Sequence, residues 1–170
     1  EATAVKPIWA VANDAAFSAA YAIASSAERI IVTETGGVGS IGVIALHIDQ
    51  SVKDANDGYR YTAITAGRHK NDFSPHEPLT DTAKGELQSE VDRLYDIFVG
   101  HVAAMRGLPE MVVRATEAAL YFGPNATAAG LADAVGTLEA TLTEFSTYLS
   151  SRSRKPPQAR AVVRTEAASP

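Results

Sequence analysis

The sequence predicts an α/β fold, and three observations lead there. Short β-branched runs such as Arg29-Ile30-Ile31-Val32-Thr33 alternate with helix-forming ones such as the alanine-rich stretch from Ser18 to Ala27. Glycines at 36, 37, 39 and 42 punctuate the chain after the first such pair. From Thr80 to Arg106, Leu87, Val91, Leu94, Ile97, Phe98 and Val102 recur at three- and four-residue steps, the spacing of one long amphipathic helix. Strands joined through helices imply a parallel sheet, and the long helices gather toward the C-terminus.

The elements follow in order. Lys6 to Ala12 has the content of a buried strand, and Asn13-Asp14 precedes the Ser18–Ala27 helix. After Arg29–Thr33 and the glycine turn, Val43-Ile44-Ala45-Leu46 is again strand-like, and a short helix begins at Asp49 and runs to Asn56. Tyr59 to Ala66 carries the aromatic and β-branched residues of a further strand. Gly107 stops the long helix, and Pro109 opens a helix reaching about Thr116, since its fixed φ suits a first turn. Ala118 to Gly123 forms a small strand or turn, and Thr137 to Leu149 a closing helix.

Length and charge set limits on function. The 170 residues, 46% of them apolar, suffice for one domain with its own core. We assign residues 1–150 to that domain and residues 151–170 to a basic flexible tail or linker. The tail carries five cations against Glu166, a net +4, leaving −9 on the rest. An acidic body disfavours duplex binding, and weak contact of the tail is the one nucleic-acid interaction to expect. No apolar run approaches the ~20 residues of a membrane-spanning helix, and Glu1 to Lys6 lacks the charged and apolar regions of a signal peptide. With no cysteine there are no disulfides, no thiolate catalysis and no cysteine metal sites.

Chemistry concentrates in three segments. Ser18 lies among small residues at a predicted strand-to-helix junction, where a carbonyl could approach its hydroxyl unhindered. Ser40 follows the glycines, and Lys70 stands in the polar loop Gly67-Arg68-His69-Lys70, a possible base. Each has an ordinary alternative, respectively a helix cap, a turn residue and a solvated cation. His69 is an alternative base for a histidine triad. Gly37-Val38-Gly39-Ser40-Ile41-Gly42 fits a dinucleotide fingerprint literally but runs into the apolar Ile41–Ile44 rather than opening a helix, so no cofactor is expected. His47, His69, His76 and His101 lack metal-ligand spacing, and isolated loop or surface histidines account for them, so no metal is expected.

Taken together, Phe17-Ser18-Ala19-Ala20-Tyr21-Ala22-Ile23-Ala24-Ser25, then Val38 to Ile44, then Ala66 to Pro75 resemble the signal peptide peptidase A family of serine peptidases, peptidase family S49, and within it the phage capsid-assembly (prohead) protease branch. Thr116-Glu117-Ala118, Tyr121-Phe122-Gly123 and Gly130 to Gly136 fit the same branch, so the resemblance covers about residues 6–145.

The resemblance implies a crotonase/Clp-like α/β core and an oligomer enclosing its sites. It also implies Ser18 as nucleophile, Lys70 as general base and Ser40 as the hydroxyl that orients the lysine, with Ala19 and Gly39 at the oxyanion and substrate subsite. A lysine with its ordinary pKa near 10.4 is protonated at neutral pH, so a lysine base needs surroundings that disfavour the ammonium. The implied substrates are scaffold and capsid-associated polypeptides, cut within the phage procapsid in the bacterial host cytoplasm, with no membrane involved. Ser18 and Lys70 could meet across neighbouring subunits. Family members carry a βαβ portion ahead of the nucleophile segment whose glycine-rich turn helps build the oxyanion hole; this chain begins just before that segment, and a partial domain is expected. A cytoplasmic signal-peptide-degrading peptidase and a non-catalytic capsid assembly module are the alternative readings.

Overall fold

A computed structural model of the protein describes residues 5–153, and residues 154–170, most of the assigned tail, lie outside the described residues. Six strands and six helices follow in order: β1 (Trp9–Ala12), β2 (Ala15–Phe17), α1 (Ala19–Ala24), β3 (Arg29–Val32), β4 (Gly37–Gly39), α2 (Ser51–Asn56), α3 (Asp81–Arg106), α4 (Glu110–Arg114), β5 (Leu120–Phe122), α5 (Pro124–Ala128), β6 (Ala134–Val135) and α6 (Leu138–Ser153). The closing helix therefore extends three residues into the segment assigned to the tail.

The strands form two small sheets. One has the order β1-β3-β6, all parallel, with Trp9 opposite Arg29 and Ile31 opposite Ala134. The other has the order β2-β4-β5, with β2 parallel and β5 antiparallel to β4. The alternation of strands and helices thus yields the predicted α/β fold, with parallel pairings in both sheets.

The core lies where β3 and the C-terminal half of α3 meet. Ile30, Val32, Val99, Val102 and Leu131 are fully buried, and each such side chain contributes about 1.5–3 kcal/mol. Thr80 caps α3 by accepting from the Ala83 amide at 3.1 Å, and Gly107 ends it with φ 65. The predicted apolar stripe is only partly buried: Val99 and Val102 are enclosed, whereas Leu94 and Ile97 face outward. Arg106, at the end of α3, donates to both carboxylate oxygens of Asp133 at 3.0 and 2.7 Å, and the Ile30 amide donates to the same carboxylate at 2.7 Å. One ion pair thereby ties the long helix to β3 and to the turn before β6.

Two expected strands are absent. Val43–Leu46 and Tyr59–Ala66 are irregular, and Ile44, Leu46, Tyr59, Tyr61 and Ile64 are exposed. Their composition suits a pleated surface, but β-propensity expresses cross-strand packing and burial, and no strand among the described residues pairs with them. Conversely, Gly37–Gly39, expected as turn, is a strand. It lies between two neighbours because a side chain at Gly37 would meet the Phe17 and Phe122 rings within 2.6–2.8 Å.

Candidate active site

β2 ends at Phe17 and α1 begins at Ala19, which leaves Ser18 alone at the junction with φ 52° and ψ −123°. A non-glycine residue in this region costs on the order of 1–3 kcal/mol and persists only where its surroundings hold it. Here the Ser18 amide donates to the Gly39 carbonyl at 2.9 Å, and the Ser18 carbonyl accepts from Ala22 at 3.0 Å as the first bond of α1. Tyr21 is fully buried, and its hydroxyl donates to the Leu131 carbonyl at 2.8 Å, anchoring the helix that follows. Burial pushes the Tyr21 hydroxyl pKa up, so it stays a donor. The result is a sharp strand-turn-helix elbow carrying a half-buried serine whose Oγ makes no hydrogen bond among the described residues. A strained elbow of this kind presents a nucleophile at the top of a sheet.

The same corner holds three other predicted residues. Ala19 opens α1, so its amide has no intrahelical acceptor. Gly39 has φ 109°, and a Cβ there would lie 2.6 Å from the Ala119 carbonyl oxygen, so only glycine fits this close approach. Ser40, with φ 54°, donates its amide to the same carbonyl at 3.0 Å. Phe17 and Phe122 meet edge to face at 5.8 Å beside them.

Lys70 stands elsewhere. It lies in an exposed run of turns, its amide donates to the Gly67 carbonyl at 3.2 Å, and its Nζ has no hydrogen bond or ion pair among the described residues. Within one copy of the chain the fold brings Ser18, Ala19, Gly39 and Ser40 together and does not hydrogen-bond Lys70 to either serine.

The histidines are not the isolated side chains expected. His76 Nδ1 lies 2.8 Å from the buried Asp54 carboxylate, and its ring stacks on Tyr61 at 3.6 Å. His47 Nε2 is 3.1 Å from the Ser74 carbonyl, and His101 Nε2 is 2.9 Å from the Ala22 carbonyl. His69 Nδ1 lies 2.7 Å from Asp72 and 3.5 Å from Glu86, and its Nε2 accepts from Arg68 at 3.1 Å. These three groups are near enough to share a cation, a grouping invisible in the sequence because Glu86 comes from α3. His69 and Glu86 are exposed and Asp72 is half-buried, and no serine among the described residues hydrogen-bonds to His69.

The sequence model of peptidase family S49 matches residues 1–151. The chain belongs to this family. Among curated S49-like relatives, capsid assembly protease C of Escherichia phage lambda is 43% identical over 129 residues, covering 76% of this chain and 29% of that protein. Head-tail preconnector protein GP5 of Enterobacteria phage P21 is 37% identical over 149 residues, covering 88% of this chain and 30% of that protein. A putative signal peptide peptidase of Enterococcus faecium is 29% identical over 137 residues, covering 80% of this chain and 40% of that protein. The S49 chain thus spans less than a third of the length of the two phage relatives it matches. No helix among its described residues is long and apolar enough to cross a membrane.

Proposed function

We propose that the chain carries the nucleophile-bearing part of a serine endopeptidase with a Ser-Lys dyad, built on a crotonase/Clp-like core, that cleaves scaffold and capsid-associated proteins during phage procapsid maturation. The observation that carries this reading is the left-handed conformation of Ser18 at the elbow between β2 and α1. Lys70 takes the proton from Ser18 Oγ, which attacks the scissile carbonyl carbon. The lysine ammonium then gives the proton to the leaving amine, and water hydrolyses the acyl-enzyme. Ser40 orients Lys70.

A solvent-facing lysine is a poor base, so the dyad needs enclosure. Lys70 follows the exposed strand-type segments 43–46 and 59–66 in the chain, and their Ile44, Leu46 and Ile64 are 87, 80 and 97% exposed. Covering such a surface with a second copy buries it and desolvates the lysine together. Ser18 of one subunit and Lys70 of its neighbour then form each site in a homo-oligomer. A scaffold and capsid substrate is favoured over signal peptides by the higher identity to the phage proteins, 43 and 37%, than to the peptidase from Enterococcus faecium, 29%.

Co-expression of the full-length protein with its scaffold and capsid proteins tests the reading. Processing is expected from the parent and lost in Ser18→Ala; full processing by that variant refutes the assignment.

A further inference from the structure

Four non-glycine residues among those described have positive φ: Ser18, Ser40, Glu117 and Ala118, at 52, 54, 47 and 56°. They are not scattered. Ser18 donates its amide to Gly39 at 2.9 Å, Ser40 donates to Ala119 at 3.0 Å, and Ala119 closes a turn by donating to Thr116 at 2.8 Å. Every positive-φ non-glycine residue among those described thus lies on one line of hydrogen bonds leading to the candidate nucleophile or inside the turn that closes it.

The Thr116–Ala119 turn has the φ signature of type I′, positive at both central positions, where Asn-Gly is preferred because a Cβ is strained there. Glu117 and Ala118 occupy it instead. Glycine would adopt the conformation more easily but would hold it less narrowly, since it populates many others. The turn is also seated on the segment that bears Ser40. A Cβ on Gly42 would lie 2.7 Å from the Ala118 Cβ, and the Gly42 amide donates to the Ser40 carbonyl at 2.9 Å. The Ala118 methyl therefore fills the space that Gly42 leaves. Strain of this kind, kept where a cheaper residue exists, collects at functional sites.

We infer that the Thr116–Ala119 turn is a positioning element of the peptidase site. Glu117 and Ala118 hold the Ala119 carbonyl against the Ser40 amide, which fixes Ser40 in its left-handed conformation and so sets the direction of its hydroxyl. Neither residue touches the reacting atoms; both act through Ser40. The inference rests on the reading of Ser40 as the hydroxyl that orients the lysine base.

The test is a double-mutant cycle in the full-length peptidase, with kcat, KM and the pH dependence of kcat/KM measured on its scaffold substrate. Ala118→Val places a β-branched residue where φ is 56° and breaks the turn. It is expected to lower kcat about tenfold or more, with KM within about twofold and the pH profile moved on its acid side. Ala118→Asn, which tolerates this conformation, is expected to stay within about threefold of the parent. In a Ser40→Ala background, Ala118→Val is expected to add nothing. Should Ala118→Val fail to assemble, Glu117→Val breaks the same turn at its exposed position. Losses that multiply with Ser40→Ala, or an Asn variant as impaired as the Val one, overturn the inference while leaving the dyad standing. A Ser40→Ala enzyme with the parental kcat instead overturns the role of Ser40, and the inference with it.

Discussion

The Ser18 amide donates to the Gly39 carbonyl at 2.9 Å, so the backbone of the candidate nucleophile is tied to the middle strand of its sheet. The bond fixes where the elbow sits, and it also consumes the Ser18 amide. An oxyanion donor from this segment must come from the next residue, Ala19, whose amide opens α1.

That gives the first prediction. Ala19→Pro removes one N–H at a first helical position, which suits proline itself, but proline crowds the Ser18 backbone before it, so the kinetics are read on assembled protein whose circular dichroism matches the parent. Loss of one oxyanion donor is expected to lower kcat by about 10²–10³ with little change in KM. Steady-state kinetics of the assembled full-length enzyme check it, and a parental kcat rules out the Ala19 amide as donor.

The Arg106–Asp133 pair governs acid stability. Burial raises the Asp133 pKa, but the Arg106 hydrogen bonds and the Ile30 amide outweigh it and hold the carboxyl below its ordinary range. A folded-state pKa below the unfolded one contributes stability that is present above the unfolded value, about 3.9, and is lost as pH falls through the folded value. Asp133→Asn is expected to destabilise the fold by about 2 kcal/mol at neutral pH and to flatten the acid limb of the stability curve. Urea unfolding at a series of pH values measures both.

Tyr21→Phe removes the hydroxyl that donates to the Leu131 carbonyl and leaves that carbonyl without this donor in a buried site. The expected cost is about 1–2 kcal/mol, read from the midpoint of chemical unfolding at constant slope.

Assembly of the dyad between copies is open to subunit complementation. Ser18→Ala and Lys70→Ala proteins are each expected to be inactive, and mixed oligomers of the two to recover cleavage, because some interfaces then pair an intact serine with an intact lysine. Mixtures that assemble yet stay inactive at every ratio contradict a site shared between subunits.

Much of this arrangement was legible in the sequence, for physical reasons. The helix after Ser18 shows as alanine-rich helix formers, although the strand that feeds the elbow, Ala15–Phe17, lies beyond the Lys6–Ala12 run read as the strand, and α3 shows through its periodicity and its Thr80 and Gly107 ends. The capping residue of α1 did not: Ser18 looks like an ordinary helix start, yet its side chain accepts no cap bond and its backbone is left-handed. Val43–Leu46 and Tyr59–Ala66 have strand composition without strand partners, and pairing is a tertiary fact that composition does not contain. Gly37–Gly39 was hidden for the opposite reason, since its glycines serve the close approach of Phe17, Phe122 and Ala119 rather than a turn. Glu117 and Ala118, neither of them a residue that favours a left-handed turn, gave no local sign of one.

The most direct measurement of the central claim, that Ser18 and Lys70 act as one catalytic unit, is kcat/KM on a purified scaffold substrate for full-length Ser18→Ala, Lys70→Ala and the double variant. The predicted result is a loss of about 10³-fold or more in each single variant, with the double no worse than either, as for groups that act together. A single-variant loss below about tenfold, or a double variant whose loss is the product of the two, contradicts the dyad.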